Sequence, residues 1–187
     1  TELRARTAAQ LVGSELSITG LTNAEACAGA QVVLLAVPWD GLEELVAGLG
    51  LSDQIVISCA NPLGFDKAGP FGVPVREGLS SIAEVTQELA PHTRVVGAFH
   101  HVSAQSLLTD EEYLAEDVLV CGDDAEAKAV VAELARAVTD RAGVDVGAER
   151  TMHRCFPQVP AAACGPLTPR TPDDGRRVPR PAPARVR

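Results

Sequence analysis

The sequence lacks any apolar run long enough to cross a membrane. Its longest such run, residues 32–37, ends at Pro38, far short of the ~20 apolar residues that a spanning helix requires. No charged segment followed by an apolar stretch marks the start of the chain, so no secretory signal is predicted. We therefore expect neither a membrane partner nor export.

Cysteine pairs and basic surfaces are missing as well. The five cysteines are odd in number and contain no C-x-x-C pair, which favours reduced thiols in a cytoplasmic protein. Acidic residues outnumber basic ones, and the formal net charge is −9. Because a polyanion is bound by a basic face, no nucleic-acid partner is expected.

The charge is unevenly distributed along the chain. Residues 1–147 contain 8 Lys and Arg against 22 Asp and Glu, a net −14, whereas residues 148–187 contain 8 against 3, a net +5. The second segment has eight prolines between residues 157 and 183 and no hydrophobic period, which predicts disorder. Such an abrupt change of composition is also typical of a shifted reading frame. We expect one domain at 1–147 and a Pro/Arg-rich tail at 148–187.

Residues 1–147 alternate between short β-branched runs and longer helical patterns. The predicted strands are 17–21, 31–37, 54–58, 94–99, 117–121 and 143–146, and the predicted helices are 2–12, 23–29, 39–49, 81–89 and 124–139. Ser81 with Glu84, and Asp123 with Glu126, have the spacing of a capping box. Strands that are apolar throughout and alternate with helices predict an α/β, doubly wound parallel sheet. Because the pattern opens on a helix, we expect its first strand–loop–helix unit to be lacking.

Three of the predicted strands end in unusual residues. These ends read Val37-Pro38-Trp39-Asp40, Cys59-Ala60-Asn61-Pro62 and Phe99-His100-His101. In a parallel sheet they would lie at one edge, where open α/β folds bind ligands. Each also has a structural explanation: Pro38 suits the start of a helix and Asn61-Pro62 a turn. Adjacent histidines in a strand point to opposite faces, so they suit one metal ion poorly.

Other residues admit a chemical role but have a simpler explanation. Cys59 could be a nucleophile, although a small buried core residue is favoured. Asp123 and Asp124 could bind a metal ion, although a helix cap explains them better. Arg4 and Arg6 could meet a phosphate, although a solvated helix face is favoured. No metal site is predicted, and the glycine-rich G-x-G-x-x-G turn of dinucleotide-binding folds is absent.

Four segments together carry a family resemblance. They are Ser17-Ile18-Thr19-Gly20, Val37-Pro38-Trp39, the run from Gly97 to Ala104 (GAFHHVSA) and Val120-Cys121-Gly122-Asp123-Asp124. In this order and spacing, residues 1–147 resemble the NADPH:F420 oxidoreductases. The resemblance implies a Rossmann-like domain followed by a small helical part, a homodimer, and NADP and coenzyme F420 as the two cofactors.

The resemblance also implies roles for individual positions. It places one loop beside the ribose and nicotinamide of NADP, a second strand end at the closing edge of the cleft, and a third segment near the nicotinamide and the deazaflavin. The first loop contains Val37, Pro38 and Trp39, the second strand end contains Asn61 and Pro62, and the third segment contains His100, His101 and Ala104. Because the hydride passes directly between nicotinamide C4 and deazaflavin C5, no catalytic side chain is expected.

The sequence departs from the family pattern at both ends. A glycine-rich G-G-T-G-type loop and a Ser-Arg pair for the 2′-phosphate of NADP would precede Thr1, and the helical part does not follow from Ala148. Two alternatives to the F420 enzyme stay open. One is a pyrroline-carboxylate or β-hydroxyacid type reductase, which the positions of Lys67 and Lys128 away from strand ends disfavour. The other is an inactive fragment that no longer binds a cofactor.

Overall fold

The structure is a computed structural model that describes residues 19–67, 69–73, 75–79, 81–103, 106–108 and 113–148. The predicted helix at 2–12, residues 17–18 of the first predicted strand, and the tail from residue 149 onward lie outside these ranges. Ala104, one of the candidate site residues, also lies outside them.

The described residues form five helices, one 3-10 turn and seven strands. The helices are α1 (Asn23–Cys27), α2 (Leu42–Gly48), α3 (Ile82–Leu89), α4 (Ala125–Leu134) and α5 (Arg136–Thr139), and the 3-10 turn is Ser106–Leu108. The strands are β1 (Val32–Leu35), β2 (Ile55–Ser58), β3 (Leu63–Asp66), β4 (Gly69–Gly72), β5 (Arg94–Ala98), β6 (Leu119–Gly122) and β7 (Val144–Asp145).

Five strands form the main sheet in the order β1-β2-β5-β6-β7. Strands β1, β2 and β5 run parallel, which confirms the doubly wound α/β class. Strand β6 runs antiparallel to β5, and β7 runs parallel to β6. A wholly parallel sheet was therefore the wrong expectation for the last two strands. The described part of the connection between β5 and β6 holds only the 3-10 turn, whereas a parallel pair requires a longer crossover, usually a helix.

Helices cover both faces of this sheet, and alternate strand residues belong to different cores. Val56, Val95 and Cys121 lie in one cluster with buried residues of α2 and α3. Ile57, Val96 and Val120 lie in the other cluster with buried residues of α4. In β2, β5 and β6, burial on both faces explains why the strand sequences are apolar throughout instead of alternating.

Polar side chains fix the starts of three helices. The predicted capping box of α3 is confirmed: the Ser81 hydroxyl accepts from Glu84 N at 3.1 Å, and Ser81 N donates to the Glu84 carboxylate at 3.2 Å. Thr22 and Glu25 form a second box at α1. The box predicted at Asp123 is wrong by one residue, because Asp124 is the cap and accepts from Ala127 N at 2.7 Å.

Two glycines allow close approaches that a side chain would prevent. A Cβ on Gly143 would lie 2.6 Å from Val120 Cγ2, and one on Gly122 would lie 3.1 Å from the Val95 carbonyl oxygen. Gly143 therefore lets the chain enter β7 directly against β6, and Gly122 lets β6 end tightly beside β5.

The remaining differences from the predicted elements are local. Residues 19–21, expected in a strand, lie outside any strand, and α2 begins at Leu42 instead of residue 39. The helix expected at 124–139 is divided at Ala135 into α4 and α5. The antiparallel hairpin β3–β4 was not predicted at all. None of the helices in the described ranges is long and apolar enough to cross a bilayer.

Candidate functional site

Hydrogen bonds join the carboxyl ends of β1, β2 and β5 at one edge of the sheet. The Cys59 thiol, just after β2, donates to the Leu35 carbonyl of β1 at 3.2 Å. The Asn61 side-chain amide donates to the His100 carbonyl, just after β5, at 2.8 Å. The sequence expectation that these three ends share one edge is thus met by the topology.

The end of β5 combines a strained backbone with a buried imidazole. Phe99 has a φ of 62°, a left-handed conformation that is rare for a bulky residue. His100 follows with 7% of its surface exposed. Burial, followed by the charge of the neighbouring His101, lowers the pKa of His100 to about 4. His100 is consequently neutral at physiological pH.

His101 is directed away from His100 and is exposed. Its Nε2 contacts the Asp117 carbonyl oxygen at 2.5 Å, which ties the turn after β5 to the segment before β6. Asp117 is held in turn by Arg141, whose Nη1 lies 2.8 Å from the carboxylate. The adjacent histidines therefore separate into one buried and one exposed side chain, although they lie in the turn after β5 and not in a strand.

A cleft of about 560 Å³ opens beside the end of β1. One wall is the segment between β1 and α2 together with the first turn of α2, and the opposite wall belongs to the β3–β4 hairpin. The lining residues are Trp39, Asp40, Gly41, Glu43, Glu44, Leu63, Gly64 and Val73. The largest side chain among them is the half-buried indole of Trp39, which packs against the core on its inner side.

The turn before α2 explains how Trp39 reaches the cleft. Leu42 N donates to the Trp39 carbonyl at 3.1 Å, and Gly41 adopts a φ of 78° as the residue before the helix. A glycine takes this conformation without the steric cost that a Cβ adds. The turn delays α2 by three residues relative to the predicted start and leaves Trp39 at the rim.

Carboxylates dominate the charge of the cleft. Asp40, Glu43 and Glu44 all line it, and the two glutamates occupy the first turn of α2. Acidic residues there interact favourably with the positive end of the helix dipole, but they occupy the position that a phosphate group would otherwise take. Arg76 forms a salt bridge with Glu43, with Nη2 2.5 Å from Oε2. Among the described residues, no cation forms an ion pair with Asp40 or Glu44.

Asn61 and Pro62 lead directly into the hairpin wall. Leu63 N donates to the Asn61 carbonyl, and Val73 N donates to the Pro62 carbonyl, both at 2.8 Å. The second bond closes the base of the hairpin. The position of the hairpin over the cleft therefore depends on the same strand end that is bonded to His100.

The predicted site residues divide into three groups. Trp39 lines the cleft, and Val37 and Pro38 precede it on the same loop. Asn61 and His100 are bonded to each other, with Pro62 at the base of the hairpin, whereas His101 is directed toward Asp117. The reasoning from sequence missed the hairpin wall and Arg76. The only sequence signal of the hairpin is a pair of short segments, residues 63–66 and 69–72.

Of the other candidates, Cys59 is half-buried and Asp124 has a structural role, whereas Arg4 and Arg6 lie outside the described residues. Burial raises the pKa of the Cys59 thiol, which makes it a poor nucleophile at neutral pH. Asp124 is a helix cap. Within the described ranges, no three histidine, cysteine or acidic residues are grouped so that they could hold a metal ion.

Comparisons with known proteins agree on one family. The family model described as NADP oxidoreductase, coenzyme F420-dependent, matches residues 1–62. The F420-dependent NADP reductase of Methanocaldococcus jannaschii is 33% identical over 140 residues, which cover 72% of this chain and 61% of that protein. The reductase of the same name from Methanothermobacter thermautotrophicus is 29% identical over 137 residues, covering 71% and 59%. The chain thus matches about three fifths of the length of these curated relatives.

Solved structures extend the match to the fold. A protein from Arthrobacter sp. FB24, described as a putative F420-dependent NADP-reductase, superposes with a TM-score of 0.64 at 26% identity, covering 75% of this chain and 66% of that one. A hypothetical protein from Sinorhizobium meliloti superposes with a TM-score of 0.62 at 26% identity, covering 79% and 69%. These matches confirm the resemblance found in the sequence: residues 1–62 match the model of the coenzyme F420-dependent NADP oxidoreductases, and 140 residues of the chain are similar to a curated F420-dependent NADP reductase.

Proposed function

We propose that the protein is an oxidoreductase that transfers a hydride between NADP(H) and coenzyme F420. The observation that carries the proposal is the agreement between relatives named F420-dependent NADP reductases and a cleft at the carboxyl ends of parallel strands, where α/β folds bind such cofactors. The proposal extends to the whole activity, although the chain matches only part of those relatives.

The described residues fit the flat ring systems better than the phosphates. The indole of Trp39 and the side chains of Leu63 and Val73 line the same cleft, and such surfaces suit an aromatic ring. The first turn of α2 carries Glu43 and Glu44, which repel a phosphate. We therefore assign the ring-binding half of the site to the described residues and do not assign a phosphate seat to them.

The roles proposed for individual residues follow from this fit. Trp39, with Val37 and Pro38 before it, forms the surface beside the nicotinamide end. Asn61 and Pro62 fix the position of the hairpin wall, and His100 with Phe99 fixes the end of β5. When bound, the nicotinamide and the deazaflavin supply the hydride chemistry. The protein orients them, excludes water, and keeps His100 neutral so that no extra cation lies beside them.

The direct test follows the decrease of deazaflavin absorbance when NADPH is added to the full chain. We expect reduction of F420 that saturates with both substrates. Trp39→Ala should raise the KM for the cofactors more than it lowers kcat, and Tyr113→Ala, at an exposed aromatic residue outside the cleft lining, is the matched control. Reduction of FMN or of a keto acid at an equal rate would instead favour the related reductase types. A lack of turnover and of NADPH binding would favour the inactive fragment.

Two further properties belong to the same proposal. We expect a homodimer, as the family resemblance implies, which analytical ultracentrifugation of the full chain would test. We expect the protein in the cytoplasm, in keeping with the odd number of cysteines and the three free thiols among the described residues. Fractionation of cells expressing the tagged protein tests this location.

A further inference from the structure

Arg76 connects the segment that follows the hairpin to α2, which lines the cleft, and to α3. It lies in the return segment, defined here as residues 75–79, which joins the hairpin to α3. Its Nε and Nη2 donate to Glu43 Oε2 at 3.0 and 2.5 Å, and its Nη1 lies 3.5 Å from Glu88 Oε2. Glu43 belongs to α2 and Glu88 to α3. A single guanidinium therefore fixes the return segment to both helices.

The contact with Glu43 also affects the charge of the cleft. Glu43 is one of three carboxylates in the lining, and its contact with Arg76 is the only ion pair that any of the three makes among the described residues. Arg76 itself is outside the lining. It therefore offsets one of the three negative charges in the lining, and it does so from outside the space in which a ligand would lie.

The return segment also supports the opposite wall. Val73, the last hairpin residue in the lining, precedes Arg76 by three positions and is bonded to Pro62. Val75 packs against the core, and Leu79 N donates to the Arg76 carbonyl at 3.1 Å, which closes a turn. The hairpin is thus fixed at two points, by Pro62 at its base and by Arg76 on its return.

We propose that Arg76 is a positioning residue for the cofactor cleft, which holds the β3–β4 hairpin in place and screens Glu43 from the phosphates of NADP(H). This assignment rests on the proposed function for the identity of the anion, but the anchoring of the hairpin is independent of it. The side chains of Arg76 and Glu43 are 41% and 36% exposed, so solvent weakens their interaction. We therefore expect the NADPH dissociation constant to change by about three- to tenfold when Arg76 is replaced.

Two measurements on the full chain test the two parts of the assignment. Arg76→Met should speed amide hydrogen exchange in residues 63–73 and weaken NADPH binding by about three- to tenfold. Arg76→Lys should restore part of the binding, since it keeps the charge but not the paired N–H groups. Arg136→Met is the matched control, because Arg136 pairs only with Glu133 on the exposed side of α4 and α5 in the described structure.

A double substitution separates screening from anchoring. In the Arg76→Met background, Glu43→Gln should restore NADPH affinity, because the unscreened carboxylate is gone, while exchange in the hairpin stays fast. Unchanged exchange in Arg76→Met would overturn the anchoring role, and equal NADPH dissociation constants for wild type and Arg76→Met would overturn the screening role. If the wild-type chain bound no NADPH, the proposed function would fail, and the exchange data would still decide whether Arg76 holds the hairpin.

Discussion

The buried imidazole of His100 predicts a specific loss of stability in mild acid. Burial, and secondarily the charge of His101, lowers its pKa from 6.5 to about 4 in the folded protein. Between these two values the unfolded chain binds the proton more readily than the folded chain does. The stabilisation is therefore fully present above pH 6.5 and is lost progressively as the pH falls toward 4.

The size of the effect follows from the two pKa values. A shift of one pKa unit corresponds to about 1.4 kcal/mol, so the complete loss amounts to roughly 3 kcal/mol. Fewer carboxylates titrate between about pH 7.5 and about pH 5 than at lower pH. In this range the free energy of unfolding should fall by about 2 kcal/mol because of the His100 imidazole alone. A loss of that size is a large fraction of the stability of a typical domain.

Urea unfolding at a series of pH values measures this loss, with the single tryptophan, Trp39, as the fluorescent probe. His100→Gln should be less stable than wild type at neutral pH and should show a smaller decrease between about pH 7.5 and about pH 5, by about 2 kcal/mol. His92→Gln, which removes an exposed imidazole, is the control for loss of a histidine. Parallel curves for wild type and His100→Gln would refute the account of a buried, neutral His100.

Three other substitutions test the packing, the backbone and the charge of the cleft. Gly143→Ala should lower the free energy of unfolding by about 1–3 kcal/mol in thermal melts, because the new Cβ would lie 2.6 Å from Val120 Cγ2. The control is Gly48→Ala, which has no atom within 4 Å of its Cβ and should be neutral or stabilising. Asp140→Gly should stabilise the protein by about 0.5–1 kcal/mol in chemical denaturation, because Asp140 ends α5 with a φ of 57° and places a negative charge at the negative end of the helix. An equal gain for Asp140→Ala would contradict the backbone explanation. Glu44→Gln should tighten NADPH binding about two- to threefold by calorimetry, because it removes a negative charge from the cleft, and the gain should be smaller at high salt. Unchanged affinity would show that the ligand phosphates lie far from the first turn of α2.

The elements were largely predictable because their signals are local. The capping box at Ser81 and the apolar strand β2 depend on residues a few positions apart, and both were placed correctly. The error at Asp123 arose because two adjacent aspartates offer the same cap, and only the three-dimensional course of the chain selects Asp124. The late start of α2 depends on the φ of Gly41, which sequence pattern does not determine.

Long-range geometry explains what the sequence did not reveal. The direction of β6 depends on how residues 99–118 return to the sheet, and an apolar strand has the same pattern in either direction. The edge carrying Trp39, Asn61 and His100 was predicted, because consecutive parallel strands must end together. The contact between Arg76 and Glu43 joins residues 33 positions apart through long side chains, and no periodicity in the sequence marks such a pair.

The reversed direction of β6 has a consequence for the use of sequence motifs. Because Gly122 pairs with Val96, the Cys121-Gly122-Asp123-Asp124 segment leaves the sheet at the edge where β5 begins, opposite the edge that carries Trp39. In this fold Gly122 leaves room for the Val95 carbonyl, and Asp124 caps α4, so both residues have structural roles. A genome search with this segment therefore selects proteins that build the sheet in the same way, whatever they bind. Under the proposed function, a search pattern that distinguishes cofactor preference would come from the other edge, from the V-P-W loop and the hairpin residues that line the cleft with Trp39.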